Sequence, residues 1–134
     1  MEEVDVVVGV VLNGDMFLVE RRRRDERVDP NIVCLPGGHV RVGEGLGEAL
    51  SREMWEELGV EVRGLRFVCK NSYVASNGER QNAYCFLITD YQGEPICKVA
   101  QEIFWEGNLE NLSLEVDRKT ITKLREIMGK GGWK

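Results

Sequence analysis

Three glutamates within five residues, Glu53, Glu56 and Glu57, follow Arg52 in the run Arg52-Glu53-Met54-Trp55-Glu56-Glu57. On a helix, residues three and four apart are surface neighbours, so all three carboxylates can reach one place. Oxygen donors gathered in that way suit a hard cation such as Mg²⁺, which is commonly shared with substrate phosphates. A cation held there would neutralise phosphate charge and activate water. Taken alone, the run reads equally as a solvated acidic helix face balanced by Arg52, the default for glutamate-rich helices.

The flanking pattern tips that balance. Gly45 to Leu58 is rich in Leu, Ala and Glu and stops at Gly59, as a helix with a C-terminal glycine does. Leu46, Leu50, Met54 and Leu58 form its apolar stripe. At about 100° per residue, Glu57 falls inside that stripe, Glu53 on its edge and Glu56 beyond it, nearer solvent. A carboxylate turned toward a core costs several kcal/mol unless it is paired. Two acids therefore face the wrong way, and Arg52 or a divalent cation must offset them. Shortly upstream, Pro36-Gly37-Gly38 is a place where the backbone turns and can approach a ligand closely.

The elements that must position this helix are also legible. Val4 to Leu12 is nearly all apolar and β-branched, as in a strand covered on both faces. Asn13-Gly14 then turns the chain into a return strand, Met16 to Arg21. Ile32 to Leu35 is a short apolar stretch, and Leu65 to Val74, Ala83 to Tyr91 and Glu102 to Glu106 read as further strands. Ser113 can cap a last helix with Leu114, Ile121, Leu124 and Met128 at helical spacing, and the tail 130–134 is expected to fray. Strands interspersed with two helices predict an α/β fold, a mixed β-sheet between helices in an α/β/α sandwich. With 134 residues, one domain is expected over 1–134.

Composition narrows the function classes. A net charge of −5 speaks against stable nucleic-acid binding, which draws on basic residues that neutralise phosphates. No apolar run approaches the ~20 residues of a membrane helix. The start, Met1-Glu2-Glu3, lacks the basic character of a leader, so a cytoplasmic location is expected. Cys34, Cys69, Cys85 and Cys97 form no C-x-x-C pair and His39 is the sole histidine, so no zinc set assembles. The cysteines read as small, unpaired core residues. Arg21 and Arg23 alternate at the end of a strand, where both can face one cleft and contact phosphates, or can simply be exposed. Tyr73, Tyr84, Phe86 and Trp105 are aromatics that could stack on a base, although most such residues are core.

Residues 38–60 resemble the Nudix box, G-x5-E-x7-R-E-U-x-E-E-x-G-U with U aliphatic. Gly38, Glu44, Arg52, Glu53, Glu56, Glu57, Gly59 and Val60 occupy its positions without a gap, and Met54 fills an aliphatic slot. The resemblance implies a Nudix-type, MutT-like pyrophosphohydrolase acting on a nucleoside diphosphate linked to a group X. It implies Mg²⁺, or Mn²⁺ in its place, held by Glu53, Glu56, Glu57 and the Gly38 carbonyl. Arg52 would orient the glutamates, Glu44 would support the loop, and Glu53 or Glu57 would serve in catalysis, with Glu53 the chosen base. Gly37 and Gly38 would approach the substrate. Relatives use one further glutamate outside the box, and Glu102 fits that role best, ahead of Glu79 and Glu106; His39 is expected to be structural. A nucleoside triphosphate, ordinary or oxidised, is the preferred substrate, ahead of ADP-ribose-like nucleotide sugars and dinucleoside polyphosphates. A non-catalytic nucleotide-binding module would be expected to lose box glutamates, and an isoprenoid diphosphate isomerase would need more histidines. Homodimerisation is compatible with the family, yet no stripe marks an interface.

Overall fold

A computed structural model describes residues 3–129, so the expectation for the tail 130–134 lies outside the described residues. The chain forms β1 (Glu3–Val10), β2 (Leu12–Asn13), β3 (Met16–Arg21), β4 (Val33–Cys34), β5 (Gly37–His39), α1 (Leu46–Leu58), β6 (Glu61–Val74), β7 (Arg80–Gln92), β8 (Glu102–Glu106), a 3-10 turn (Leu109–Asn111) and α2 (Glu115–Gly129). One four-stranded sheet has the order β5-β1-β7-β6 and is mixed, because β1 and β7 run parallel. The other sheet joins β2, β3 and β4, with β8 on β3. The helices lie on opposite faces of this β layer, and the fold is an α/β/α sandwich.

The alternation of β1 builds both halves of the core. Val6, Val8 and Val10 pack with Leu112, Val116, Ile121 and Leu124 from the α2 side. Val7 and Val11 pack with Ala49, Leu50, Met54 and Leu58 from α1. In β3, Phe17 and Val19 join the first cluster and Leu18 the second. Successive side chains on a strand point to opposite faces, so every residue of these strands is committed to one layer or the other. Among the described residues, no helix is long and apolar enough to cross a membrane.

The expected strand from Val4 to Leu12 is divided at Val11. Both edges of β1 are occupied, by β7 and by antiparallel β5, so the chain leaves that sheet and Leu12 pairs instead with Phe17 of β3. The hairpin read from Asn13-Gly14 is therefore only two residues deep, and its first long strand belongs to the other sheet. Ser113 does not act as the expected helix cap. Its hydroxyl accepts from Val33 N–H at 2.9 Å, and its own N–H donates to Val33 O at 2.9 Å, which ties the start of α2 to β4. Met128, assigned to the apolar stripe of α2, is 43 % exposed, and the buried residues of α2 end at Leu124.

Leu50 is fully buried between α1 and the sheet. Leu50→Ala should lower the unfolding free energy by about 2–5 kcal/mol, since truncation loses transfer free energy and leaves a cavity. Urea denaturation checks this, with the midpoint falling at an unchanged m-value.

Candidate active site

Helix α1 spans Leu46–Leu58 and ends at Gly59, whose φ of 69° is left-handed and suits glycine. At its start the Gly45 N–H donates to Glu48 Oε1 at 3.0 Å, as N-terminal orphan donors require. Ala49, Leu50, Met54 and Leu58 are buried. The angular reading of the glutamates holds: the Glu53 side chain is 14 % exposed and Glu56 41 %, while Glu57 packs inward.

Arg52 is the hub of this face. Its Nε donates to Glu44 Oε2 at 2.6 Å and its Nη2 to Glu44 Oε1 at 2.9 Å, a two-pronged pairing. Nη1 reaches Glu53 Oε1 at 2.7 Å and Glu56 Oε2 at 3.2 Å, and Nη2 also donates to the His39 carbonyl at 2.9 Å. One guanidinium thus joins the loop before α1 to the acids on α1. The Arg52 hydrogen bonds, reinforced by the Arg41 N–H, hold the Glu44 carboxyl down at about 2. His39 supplies this loop with its backbone, while its ring meets Glu79 at 3.4 Å.

The two glycines allow the loop to lie close. A Cβ on Gly37 would collide with the Val7 carbonyl, and one on Gly38 with the Glu53 carboxylate. The Gly38 backbone therefore sits against the helix acids, where a side chain on that residue would keep them apart.

Glu57 meets an acid that the sequence reading did not single out. Glu20 follows Leu18 by two residues on β3, so it projects to the α1 side, where it is only 4 % exposed. The Glu20 and Glu57 carboxyls are within hydrogen-bonding reach. Burial pushes both upward, Glu57 the more because the Glu20 charge adds to it, so the pair is set to share a proton. Glu20 Oε1 and Glu57 Oε2 are buried without a hydrogen-bond partner. Strand alternation was the signal that could have found Glu20.

The same alternation removes two expected residues from the cluster. Glu102 opposes Arg21 across β3 and β8, and the Arg21 Nε donates to Glu102 Oε1 at 2.9 Å. The Arg21 guanidinium also lies 5.9 Å from the Phe104 ring centroid, on the face away from α1. Glu102, Glu106 and Arg21 are outside the cleft lining, whereas Arg22, Arg23 and Arg27 contribute to it. Arg23 grips Asp25 with two hydrogen bonds of 3.0 Å, and Arg22 holds Glu26 at 2.6 Å.

The cleft has a volume of about 620 Å³. Glu20, Glu53, Glu56, Glu57 and Arg52 line one end. The other, from the core under α2, is lined by Val6, Val8, Leu35, Ala83 and Val116, with Tyr73, Gln81, Asp117 and Asp29, which accepts from the Tyr73 hydroxyl at 3.3 Å, as polar groups. Tyr73 is the expected aromatic that reaches it; Phe86 is buried against Phe67 with ring centroids 5.6 Å apart, and Tyr84 and Trp105 pack on the α1 side. Asp117 is 2 % exposed, accepts from Leu35 N–H at 3.1 Å, and is pushed up to about 7 by burial. A latch closes this wall: the Asp29 N–H donates to Ser76 Oγ at 2.7 Å, and Ser76 N–H to Asp29 Oδ1 at 2.9 Å.

The donors fit a hard divalent cation. They are carboxylate and carbonyl oxygens, they are in excess of the cations that neutralise them, and two buried oxygens lack a partner. No preassembled metal-ligand cluster occurs among the described residues, consistent with Arg52 holding Glu53 and Glu56 and with Glu57 turned to Glu20.

Residues 3–108 match the family model of the NUDIX domain. The chain belongs to the Nudix family. Its NUDIX domain and its similarity to MutT-like relatives indicate a pyrophosphohydrolase. It is 27 % identical over 105 residues to the 8-oxo-dGTP diphosphatase of Buchnera aphidicola subsp. Schizaphis graminum, covering 78 % of each chain. It is 41 % identical over 61 residues to the m7GpppN-mRNA hydrolase NUDT17 of Homo sapiens, a match to 44 % of this chain and 19 % of that one. The solved MutT NUDIX hydrolase of Burkholderia pseudomallei superposes with a TM-score of 0.80 at 22 % identity, over 92 % of this Nudix chain and 99 % of the other.

The buried Asp117 gives this Nudix protein a pH signature. Its folded pKa, about 7, lies above the ordinary 3.8, so the neutral form is favoured in the folded state and stability is lost as pH rises between those values. Asp117→Asn should be more stable than wild type at about pH 8, on the order of 2–4 kcal/mol, with the gap closing near pH 4. Urea titrations across that range read the difference.

Proposed function

We propose that this Nudix chain hydrolyses a nucleoside triphosphate, with an ordinary or oxidised base, to the monophosphate and pyrophosphate in a Mg²⁺-dependent reaction. The observation that carries this reading is the division of one cleft into an acidic end and an apolar recess with a few polar groups. The recess offers apolar walls for a base, with Asp117, Gln81 and Tyr73 as groups that can read its edge. A cleft of about 620 Å³ suits one nucleoside and its phosphates better than two nucleosides. The even coverage by an 8-oxo-dGTP diphosphatase supports the same class, whereas the mRNA-cap enzyme matches only a minor part of its own length.

In this reading Glu53, Glu56, Glu57 and the Gly38 carbonyl would hold Mg²⁺, or Mn²⁺ in its place. The ion, when bound, neutralises diphosphate charge and makes its water more acidic. Water adds to a phosphorus of the diphosphate and the bridging oxygen departs with the other half. Glu53 accepts the proton of that water, and Arg52 keeps Glu53 and Glu56 aimed at the loop. Glu20 orients Glu57 from the side opposite Arg52. Arg23, with Arg22, presents positive charge to the phosphates at the cleft wall, and Gly37 and Gly38 let the backbone approach them.

The test is a panel of nucleoside triphosphates, 8-oxo-dGTP, ADP-ribose and diadenosine polyphosphates, assayed for phosphate products with Mg²⁺ and with EDTA. Turnover should be confined to triphosphates, vanish in EDTA and fall by roughly 10²–10⁴-fold in Glu57→Gln. Turnover of ADP-ribose or the dinucleotides instead would replace the substrate assignment, and a folded but inactive wild type would remove it.

Glu20 and Glu102 separate geometry from sequence expectation. Glu20→Gln should lower kcat by roughly 10–100-fold, the usual cost of losing a group that orients a metal ligand. Glu102→Gln, which loses only an exposed ion pair, should stay within roughly twofold of wild type. Steady-state kinetics on the preferred substrate, with circular dichroism to confirm folding, decides between them.

A further inference from the structure

Cys69 on β6 and Cys85 on β7 are direct cross-strand partners, on the sheet face that α2 covers. We infer that this pair is an oxidative modification site, at which an internal disulfide forms by exchange with a low-molecular-weight disulfide. The site is independent of the carboxylate cluster and of the proposed substrate.

The geometry is that of a ready pair. Directly opposed residues in an antiparallel ladder have Cα atoms about 4.5–5.5 Å apart. A disulfide takes Cα separations of about 4.4–6.8 Å. Both side chains leave the sheet on the same side, because both belong to the core under α2. The Thr120 hydroxyl of α2 sits between them, 3.6 Å from Cys69 Sγ and 3.2 Å from Cys85 Sγ. The other cysteines have no such partner: Cys34 pairs with Glu20 across β3 and β4, and Cys97 lies outside the strands.

The two sulfurs differ in ways that assign their roles. Cys69 is half-buried, while Cys85 is wholly buried, so a reagent meets Cys69 first. The neighbouring Cys85 thiol lowers the Cys69 thiol from its ordinary value, aided by Thr120, by Asn71 Nδ2 at 3.4 Å and by the Lys123 charge. Thiolates, not thiols, attack disulfides. The same contact raises Cys85, which is then the resolving group.

The step balances. Cys69 loses its proton and attacks one sulfur of the reagent disulfide, forming a mixed disulfide and releasing one thiolate. Cys85 loses its proton and attacks Cys69 Sγ, which breaks the mixed disulfide and releases the second thiolate. Both released thiolates take up the two protons. The two cysteines are oxidised to one disulfide, and one reagent disulfide is reduced to two thiols.

The native protein is incubated with 2-hydroxyethyl disulfide, alkylated, digested and mapped by mass spectrometry. The expected product is a Cys69–Cys85 cross-linked peptide lacking two hydrogens, with Tm raised by roughly 5 °C or more because a loop of about 15 residues is closed. Cys85→Ser should stop at a stable reagent adduct on Cys69, and Cys69→Ser should leave Cys85 unmodified; Cys97→Ser should cross-link as wild type does. A reagent adduct that persists on Cys69 of the native protein, or an unreacted Cys69, would overturn the inference. Should a serine variant unfold, Cys85→Ala provides the same trapping readout with a smaller apolar side chain.

Discussion

A group of carboxylates can be concentrated on one helix only if something positive stands among them, and here that is chiefly one guanidinium, with Arg41 adding an ion pair to Glu56 at 3.5 Å. Arg52 touches Glu44, Glu53, Glu56 and the His39 carbonyl at once. Its planar fork presents several donors in fixed directions, which an ammonium would not. Gly38 and His39 are fixed by the pairing of β5 with β1, and the shared guanidinium ties the segment that follows, through the His39 carbonyl and Glu44, to α1. Gly38 lies against Glu53 because β1 holds the strand that carries it, while Arg52 holds Glu53 and the neighbouring His39 carbonyl.

Glu57 stands outside that compensation. It turns toward Glu20, where burial raises both carboxyls and leaves an unsatisfied oxygen on each. Two acids pressed together in a core would ordinarily be a defect, since the fold gains nothing from their repulsion. Protonation relieves it, and so does a cation, which is the physical sense in which the fold is prepared for one. Asp117, at the far end of the cleft, is also pushed up by burial, but with a backbone N–H in contact and no acid beside it in the cluster. The cleft thus has charge-demanding groups at one end and a more apolar recess at the other.

The helix, its stop at Gly59 and the inward turn of Glu53 and Glu57 were legible because helical angles follow directly from spacing. A mixed sheet with a helix on each face was legible from the strands interspersed with two helices, and the coverage of β1 on both faces from its nearly continuous apolar run, whereas the strand order in the sheets was not. The division of the first strand at Val11 was not, because it depends on β7 and β5 claiming both edges of β1, and those partners are remote in sequence. Arg21 and Glu102 were misplaced for a related reason. Each sits beside the right residues in sequence, but the phase of the strand points both to the far side of the sheet. Glu20 went unnoticed because a lone acid beside four arginines looks like surface, and only the neighbouring Leu18 reveals which way it faces. The cysteines were core residues at Cys34 and Cys85, half so at Cys69, and not at Cys97, which lies on an exposed segment.

The strand from Met16 to Arg21 feeds both layers, with Glu20 directed to α1 and Arg21 away from it. Its phase is set by the tight turn at Gly14, where Asn13 faces Met16. A one-residue slip of a strand exchanges its two faces. A one-residue deletion in that turn would therefore bring the Arg21 guanidinium to the place where a carboxyl meets Glu57, and a one-residue insertion would bring the apolar Val19 there. The length of a surface turn, far from any reacting group, is in this way part of the sign of the charge at the centre of the site.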